Sequence, residues 1–570
     1  MLQSTTWPLL QKNSLLCAAV LALAELAACN NSPQPSALAA ESNSATGTTA
    51  PAQKMPGKPN ILLIVADDLG YSDLSLYGSE IPTPNIDELA RTGMLLDEFY
   101  SGLTCSPTRS MLLSGTDNHL AGLGVMGAPT RPEHKEQPGY AGYLNFRVAS
   151  LADLLSDAGY NTYMTGKWHL GAEVEQGPHA RGFKKSFVSM DGAAHLGGWD
   201  WRGPVPADYR DGDQLVHVGD DFYTTRDYTK KMITYIEEDR SQNKPWFAYL
   251  AYTAPHWPLQ APDASIAKFK GVYDKGYEAI YASRFARQKE IGMQPKGAEP
   301  IDNARFSPRW NTLTADEKAV EARHMEIYAA MVSDLDIYVG QVTNYLKSIN
   351  EFDNTFIMFM SDNGAESSRR DLAKNIVDHV GKEYDHSLAN LGRANSYVMY
   401  GANWASVSET PFVRHKATAF EGGNHVPAFV HYKGKVPAGS HATGVSTVMD
   451  VLPTFLAIAG ATHPGTQYRG KEILPAKGIS MLPMLTGKAK AIHNDDEVLG
   501  WELFGYRSVR QGDWKIVWDQ APPLAERRWQ LFNVAQDPSE QHDLSTDKPG
   551  KLKEMQANWD VYAKDSGVIY

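Results

Sequence analysis

The sequence predicts an α/β fold: a large, mostly parallel central sheet sandwiched by helices, then a smaller C-terminal antiparallel sheet plus helix. Three observations carry this expectation. Past residue 57, short continuous apolar runs alternate with helical stretches, as in strands buried on both faces and joined by crossover helices. Several of these runs end in polar residues, and ligands of open α/β sheets bind beyond the carboxyl ends of the strands. From about residue 496 the runs shorten and are separated by turn residues, the pattern of antiparallel strands.

The chain has 570 residues, 42% hydrophobic and 21% charged. That composition excludes collagen, coiled coil and wholesale disorder. Its net charge of −12, from 54 basic and 66 acidic residues, comes with no long basic tract. A nucleic-acid partner is therefore excluded, because phosphate neutralisation needs clustered Lys and Arg.

Lys12 precedes an apolar run over residues 15–24, too short to span a bilayer. Leu26-Ala27-Ala28-Cys29 follows and resembles a bacterial lipobox, in which the signal is cut before a cysteine that is then acylated. Residues 1–28 read as a lipoprotein-type signal peptide. A sparse basic start and Glu25 depart from a strong signal, so a plain secretory signal is the alternative. Residues 29–56 are rich in Ser, Ala, Thr and Pro, and such a segment reads as a flexible tether. The expected location is the periplasm or cell envelope, with membrane contact only through a lipid on Cys29. Residues 57–490 read as a catalytic domain and 491–570 as a small C-terminal α+β subdomain.

In chain order, residues 61–66 form an apolar run ending in Asp67-Asp68. A shorter one over 162–164 ends in Gly166-Lys167-Trp168-His169, and 246–252 runs into Thr253-Ala254-Pro255-His256. Residues 355–360 end in Ser361-Asp362-Asn363-Gly364. Between them, Leu151, Leu154, Leu155 and Ala158 follow helical spacing, with Gly159 suited to the position after the helix. Met325, Tyr328, Val332, Leu335, Val339, Val342 and Leu346 mark a helix over 324–348. Residues 265–323 and 365–410 carry few periodic runs. Short strands are expected over 498–503, 506–509, 514–518 and 529–533, with a final helix over 549–563.

Each strand end alone has a bland explanation, since Asp-Asp and Asp-Asn-Gly are ordinary turn chemistry. Convergence of four such ends points to a site. Asp67, Asp68, Asp362 and Asn363 together offer only oxygen ligands, which favours a hard divalent cation, calcium first and magnesium second.

The three cysteines, Cys17, Cys29 and Cys105, cannot build a disulfide scaffold. Cys105 sits in Thr104-Cys105-Ser106-Pro107-Thr108-Arg109, where Pro107 suits the first turn of a helix. Cys105 then stands at a helix N-terminus, which favours an anion, with Arg109 one turn on. The alternative is a buried free cysteine.

These residues carry a resemblance. The chain is similar to the type I, formylglycine-dependent sulfatases of the alkaline-phosphatase-like superfamily, and especially to their bacterial arylsulfatase branch, over roughly residues 58 to 545. The matching motifs are Ile-Val-Ala-Asp-Asp-Leu-Gly-Tyr at 64–71, Thr83-Pro84-Asn85-Ile86-Asp87, Cys105-Ser106-Pro107-Thr108-Arg109, and Gly166-Lys167-Trp168-His169-Leu170-Gly171. Pro255-His256-Trp257-Pro258, Ser361-Asp362-Asn363-Gly364 and Lys416 ahead of Glu421-Gly422-Gly423 complete them.

The resemblance implies that a maturation enzyme oxidises Cys105 to formylglycine. The hydrated aldehyde would attack the sulfur of a small-molecule sulfate ester, expel the alcohol or phenol, and later eject sulfate. It also implies that Asp67, Asp68, Asp362 and Asn363, with an oxygen of residue 105, hold calcium. Lys167, His256 and Lys416 would bind sulfate oxygens, His256 would protonate the leaving oxygen, and Arg109 and His169 would position the nucleophile. His415 is set aside, because alternation along an extended segment points it away from Lys416. The family further implies that 265–323 and 365–410 are substrate-side loops. Alternatives are a phosphonate monoester or phosphodiester hydrolase of the same superfamily, and a non-catalytic surface binding protein.

Overall fold

The computed structural model describes residues 57–127, 131–200, 203–369, 383–520 and 528–570. The expected signal peptide and tether, with Cys17 and Cys29, lie outside the described residues.

A ten-stranded sheet forms the centre. Its middle is parallel: Asn60–Ala66 pairs with Trp246–Ala251 on one side and Thr355–Ser361 on the other, and Asn161–Lys167 and Lys185–Ser189 extend it. Antiparallel strands flank this core at Ala428–His431 and Tyr209–Asp211. Every residue of Asn60–Ala66 is buried. Leu62 and Ile64 face one cluster, which includes Met325, Val332 and Leu335, while Ile61, Leu63 and Val65 face another with Met111, Leu151 and Phe455. The period-two alternation of a strand thus serves two helical layers. The mostly parallel, helix-sandwiched sheet is present as expected.

Helix Gly401–Ser408 lies in a stretch expected to form loops, and two other helices differ from expectation for a plain physical reason. The helix expected from 324 begins at Ala315 and runs to Ser348, opened by a capping box between Thr314 and Glu317. Its first turns are charged and exposed, so apolar periodicity does not reveal them. Helix Tyr277–Glu290 lies in the stretch expected to form loops. Its buried face is Tyr277, Ile280, Tyr281, Arg284 and Gln288, helically spaced but partly polar. Arg284 is buried on Asp73 at 2.6 Å and Glu80 at 2.8 Å, and such pairing is what permits a guanidinium in a core.

The C-terminal strands Val498–Leu503, Tyr506–Gln511, Trp514–Trp518 and Trp529–Asn533 form an antiparallel meander. One face packs on helix Pro549–Ser566 through Val509, Ile516, Leu531, Met555 and Trp559. The other joins the main core through Trp501, Leu503, Val517 and Phe532.

His119 ties this sheet to the body. Its Nδ1 meets Asp117 Oδ1 and its Nε2 meets Glu502 Oε2, each at 2.8 Å. Burial alone would lower its pKa, but Asp117 and Glu502 push it up to about 9. A folded-state value above the unfolded one gives stability that is complete below about pH 6.5 and lost as pH rises through 9. This ion pair is expected to contribute on the order of a few kcal/mol near pH 6, where His119 is charged and its carboxylate partners are ionised. His493, pushed likewise to about 9 between Asp450 and Glu497, titrates over the same range. Urea unfolding at pH 6 and pH 9.5 should therefore show His119→Gln less stable at pH 6 and flatter with pH than the unsubstituted protein; parallel curves would remove His119 from the account.

Candidate active site

The four expected strand ends meet above one edge of the sheet. Asp67 and Asp68 follow Ala66, and Asp68 adopts φ 64°, a left-handed turn that an aspartate tolerates. Its backbone N–H donates to Asp362 Oδ1 at 3.2 Å. Asn363 Nδ2 donates to Asp68 Oδ1 at 2.7 Å. Lys167 ends its strand and reaches Asp67 Oδ2 at 2.7 Å. It gets there because Gly166, at φ 116°, lies against the Ala251 carbonyl, where any Cβ would clash.

Helix Cys105–Ser114 begins at Cys105, and all ten of its residues are buried. Cys105 Sγ lies 3.2 Å from Asp67 Oδ1 and 3.8 Å from Asp68 Oδ1. Arg109, one turn on, is fully buried. It forks onto Asp362 Oδ2 at 2.8 and 3.1 Å, and its Nη1 donates to the Lys167 carbonyl at 2.8 Å. Lys416 Nζ donates to Asp68 at 2.7 and 3.0 Å and lies 3.3 Å from Glu366. His256 Nε2 is 3.5 Å from Asp68 Oδ2, and its Nδ1 meets the Trp257 carbonyl. His169 Nε2 is 3.4 Å from Asp191. All ten residues expected to form the site are thus brought together.

The electrostatics divide the groups. Burial pushes Asp67 up, yet Lys167, His256, Arg109 and Lys416 together hold it well below the usual carboxylate range. Burial raises Asp68 to about 7 against the pull of Lys416, with Asp67, Glu366 and Asp362 adding to the rise. Burial and Asp67 raise Asp362 to about 6. Lys167 and Lys416 stay charged, because the carboxylates outweigh their burial. Burial, then the positive charge of Lys167, holds both His169 and His256 below the ordinary histidine value. Burial and Asp67 drive the Cys105 thiol well above its usual range, so as a thiol it is protonated and a poor nucleophile.

The residues could hold a metal ion. Ligand atoms of Asp67, Asp68, Cys105 and His256 lie within 4.8 Å of one another. Asn363 contacts Asp68 through Nδ2, and its Oδ1 is buried with no hydrogen-bond partner. An unpartnered buried amide oxygen on a residue that touches these carboxylates is a donor atom that an oxygen-coordinated ion can use.

A cavity of about 360 Å³ opens over Cys105, Lys167 and Lys416. Three features escaped the sequence reading. Glu366, only three residues past Asn363, lines the cavity, and Lys416 holds its carboxyl far below the ordinary value against the effect of burial. Met126, Phe504 and Tyr506 form an apolar wall, delivered from distant segments with no local motif. His415 also lines the cavity, contrary to expectation. Arg414 and Ala417 both take φ 65°, so the segment is not extended and alternation fails. Ser367 and Ser368 line the cavity too, in keeping with a substrate-side role for part of 365–410.

Residues 59–461 match the family model described as Sulfatase. An uncharacterized sulfatase of Schizosaccharomyces pombe is 40% identical over 527 residues, covering 90% of this chain and 94% of that protein. An arylsulfatase of Klebsiella aerogenes is 37% identical over 440 residues, covering 76% and 93%. The crystal structure of Ps i-CgsB in complex with k-i-k-neocarrahexaose superposes with a TM-score of 0.63 at 25% identity, covering 89% and 93%. On the family match and these relatives together, the chain belongs to the sulfatase family.

Proposed function

We propose that the protein is an arylsulfatase: it hydrolyses sulfate monoesters, releasing a phenol or alcohol and inorganic sulfate, with residue 105 converted to formylglycine. The observation that carries the reading is the position of Cys105. It opens a buried helix 3.2 Å from Asp67, beneath a cavity that Lys167 and Lys416 also line, in a state where its own thiol is inert. As the hydrated aldehyde, residue 105 supplies the hydroxyl nucleophile that the thiol cannot. Asp67, Asp68, Asp362 and Asn363 would hold a divalent cation, calcium before magnesium. When bound, that ion supplies Lewis-acid polarisation and lowers the pKa of a neighbouring hydroxyl.

The remaining chemistry belongs to the side chains. Lys167 and Lys416 keep their charge and lie beside residue 105, so both can bind sulfate oxygens where negative charge builds in the transition state. His256 is neutral at rest, and the contact of Nδ1 with the Trp257 carbonyl places its ring proton there, leaving Nε2 bare. Entry of the anionic ester favours protonation at Nε2, from which the leaving oxygen can take the proton. His169 is likewise neutral and suited to accept the proton in the second half of the reaction. Arg109 is engaged by Asp362 and the Lys167 carbonyl, so it acts by positioning those groups. Trp257, Tyr506, Phe504 and Met126 in the wall support an aryl leaving group.

The proposal includes a maturation enzyme acting on Cys105, export to the cell envelope, and acylation of Cys29. Turnover of 4-nitrophenyl sulfate by matured protein, set beside a phenylphosphonate monoester, tests the reaction. The sulfate ester should be preferred by orders of magnitude; preference for the phosphonate or for a phosphodiester would assign the alternative chemistry.

A further inference from the structure

We propose that a second cavity, beside the active site, is a subsite for an anionic group carried on the leaving-group side of the substrate, beyond the scissile ester. The inference rests on the sulfate-ester reading for the identity of the substrate, though not for the binding itself. This cavity measures about 450 Å³ and shares Met126 and Phe504 with the catalytic cavity. A substrate long enough to pass those two side chains would occupy both. Phe504 stands at the tip of the Val498–Leu503 and Tyr506–Gln511 hairpin, at φ 56° and 40% exposed.

The two cavities differ in how their cations are engaged. In the catalytic cavity Lys167 and Lys416 are engaged by Asp67 and Asp68, and the other acidic groups of the lining are Asp191 and Glu366. A second anion near the ester would be repelled there. Beyond Met126 and Phe504, Arg131 and Arg507 line the wall, and neither meets a carboxylate among the described residues. The Arg507 guanidinium is held by aromatic faces instead, 4.0 Å over Tyr570 and 5.5 Å over Trp518. Its Nε is buried without a hydrogen-bond partner.

His134 closes the wall without adding a donor to it. It is 4% exposed and stacked on Tyr140 at 4.1 Å. Its Nε2 meets the Ile569 carbonyl at 3.2 Å, while Nδ1 is buried and partnerless. Glu502, the one carboxylate side chain in the lining, accepts from His119 at 2.8 Å and from the Gly505 N–H at 2.7 Å, so its charge is already met. The wall therefore presents guanidinium donors without acceptors, beside exposed aromatic surface. Carboxylate and sulfate groups match a guanidinium fork, and aromatic faces suit the ring that bears them.

The test uses full-length matured protein with Arg131→Gln, Arg507→Gln, the double variant and Arg507→Lys. Substrates are 4-nitrophenyl sulfate, a sulfated disaccharide with a carboxylate on its second ring, and one with a second sulfate there. The double variant should raise KM for one or both disaccharides by about tenfold, the loss of a charge-assisted hydrogen bond, with kcat retained. Its kcat/KM for 4-nitrophenyl sulfate should stay within about twofold, and Arg507→Lys should recover part of the loss, since charge persists without the fork. Whichever disaccharide responds identifies the anion.

Calorimetry with the carboxylated disaccharide lacking the scissile sulfate reads binding without turnover. Its Kd should weaken to the same degree in the double variant. Equal losses on all three substrates, or no binding of either anionic disaccharide by unsubstituted protein, would overturn the subsite. Arginine-dependent binding in a protein that hydrolyses none of the sulfates would leave the subsite standing and refute the sulfatase reading.

Discussion

Cys105→Ala is expected to reduce sulfate ester turnover by roughly 10⁴-fold or more, because removing a covalent nucleophile disables every group arranged around it. The fold should survive. Cys105 is one small buried side chain at the start of a helix, and its Sγ contacts are with Asp67 and Asp68. Losing it should cost about 1 kcal/mol. Near-native melting alongside lost turnover of 4-nitrophenyl sulfate is the expected pair of results. Retained turnover would mean that chemistry runs through another group, and the thiol's protonated state would then be irrelevant.

Stripping divalent ions should have the second largest effect, about a thousandfold loss of turnover, given the several kcal/mol of charge stabilisation such an ion supplies. Calcium should restore the rate, and magnesium should restore it less well. Ion binding should also raise the melting temperature with ion concentration, since the ligands are assembled only in the folded state. Asn363→Ala sharpens the test. It removes the partnerless Oδ1 and should raise the calcium concentration for half-maximal turnover by about tenfold. Undiminished turnover after chelation, with elemental analysis showing no divalent ion, would refute the cation.

Much of this site was legible because its residues sit at the ends of apolar strands. Asp67, Lys167, His256 and Asp362 each follow a buried run, and a parallel sheet gathers such ends on one edge. Cys105 and Arg109 were legible because Pro107 and the apolar run after it mark a helix start. Glu366 was within reach, lying at the same strand end as Asp362. The apolar wall was not, because Met126 and the hairpin turn carrying Phe504 and Tyr506 are far apart in the chain and meet only through tertiary packing. His415 was misplaced by assuming an extended backbone where two residues take positive φ. Helix Tyr277–Glu290 hid because Arg284 and Gln288 occupy its buried face, and periodicity of apolar residues does not count a paired guanidinium.

The most direct measurement is intact-peptide mass spectrometry across residue 105 on protein purified from its native host. The account predicts the mass of formylglycine or its hydrate in place of cysteine, in the same preparation that hydrolyses 4-nitrophenyl sulfate. An unmodified thiol in a preparation that turns over the ester would contradict it.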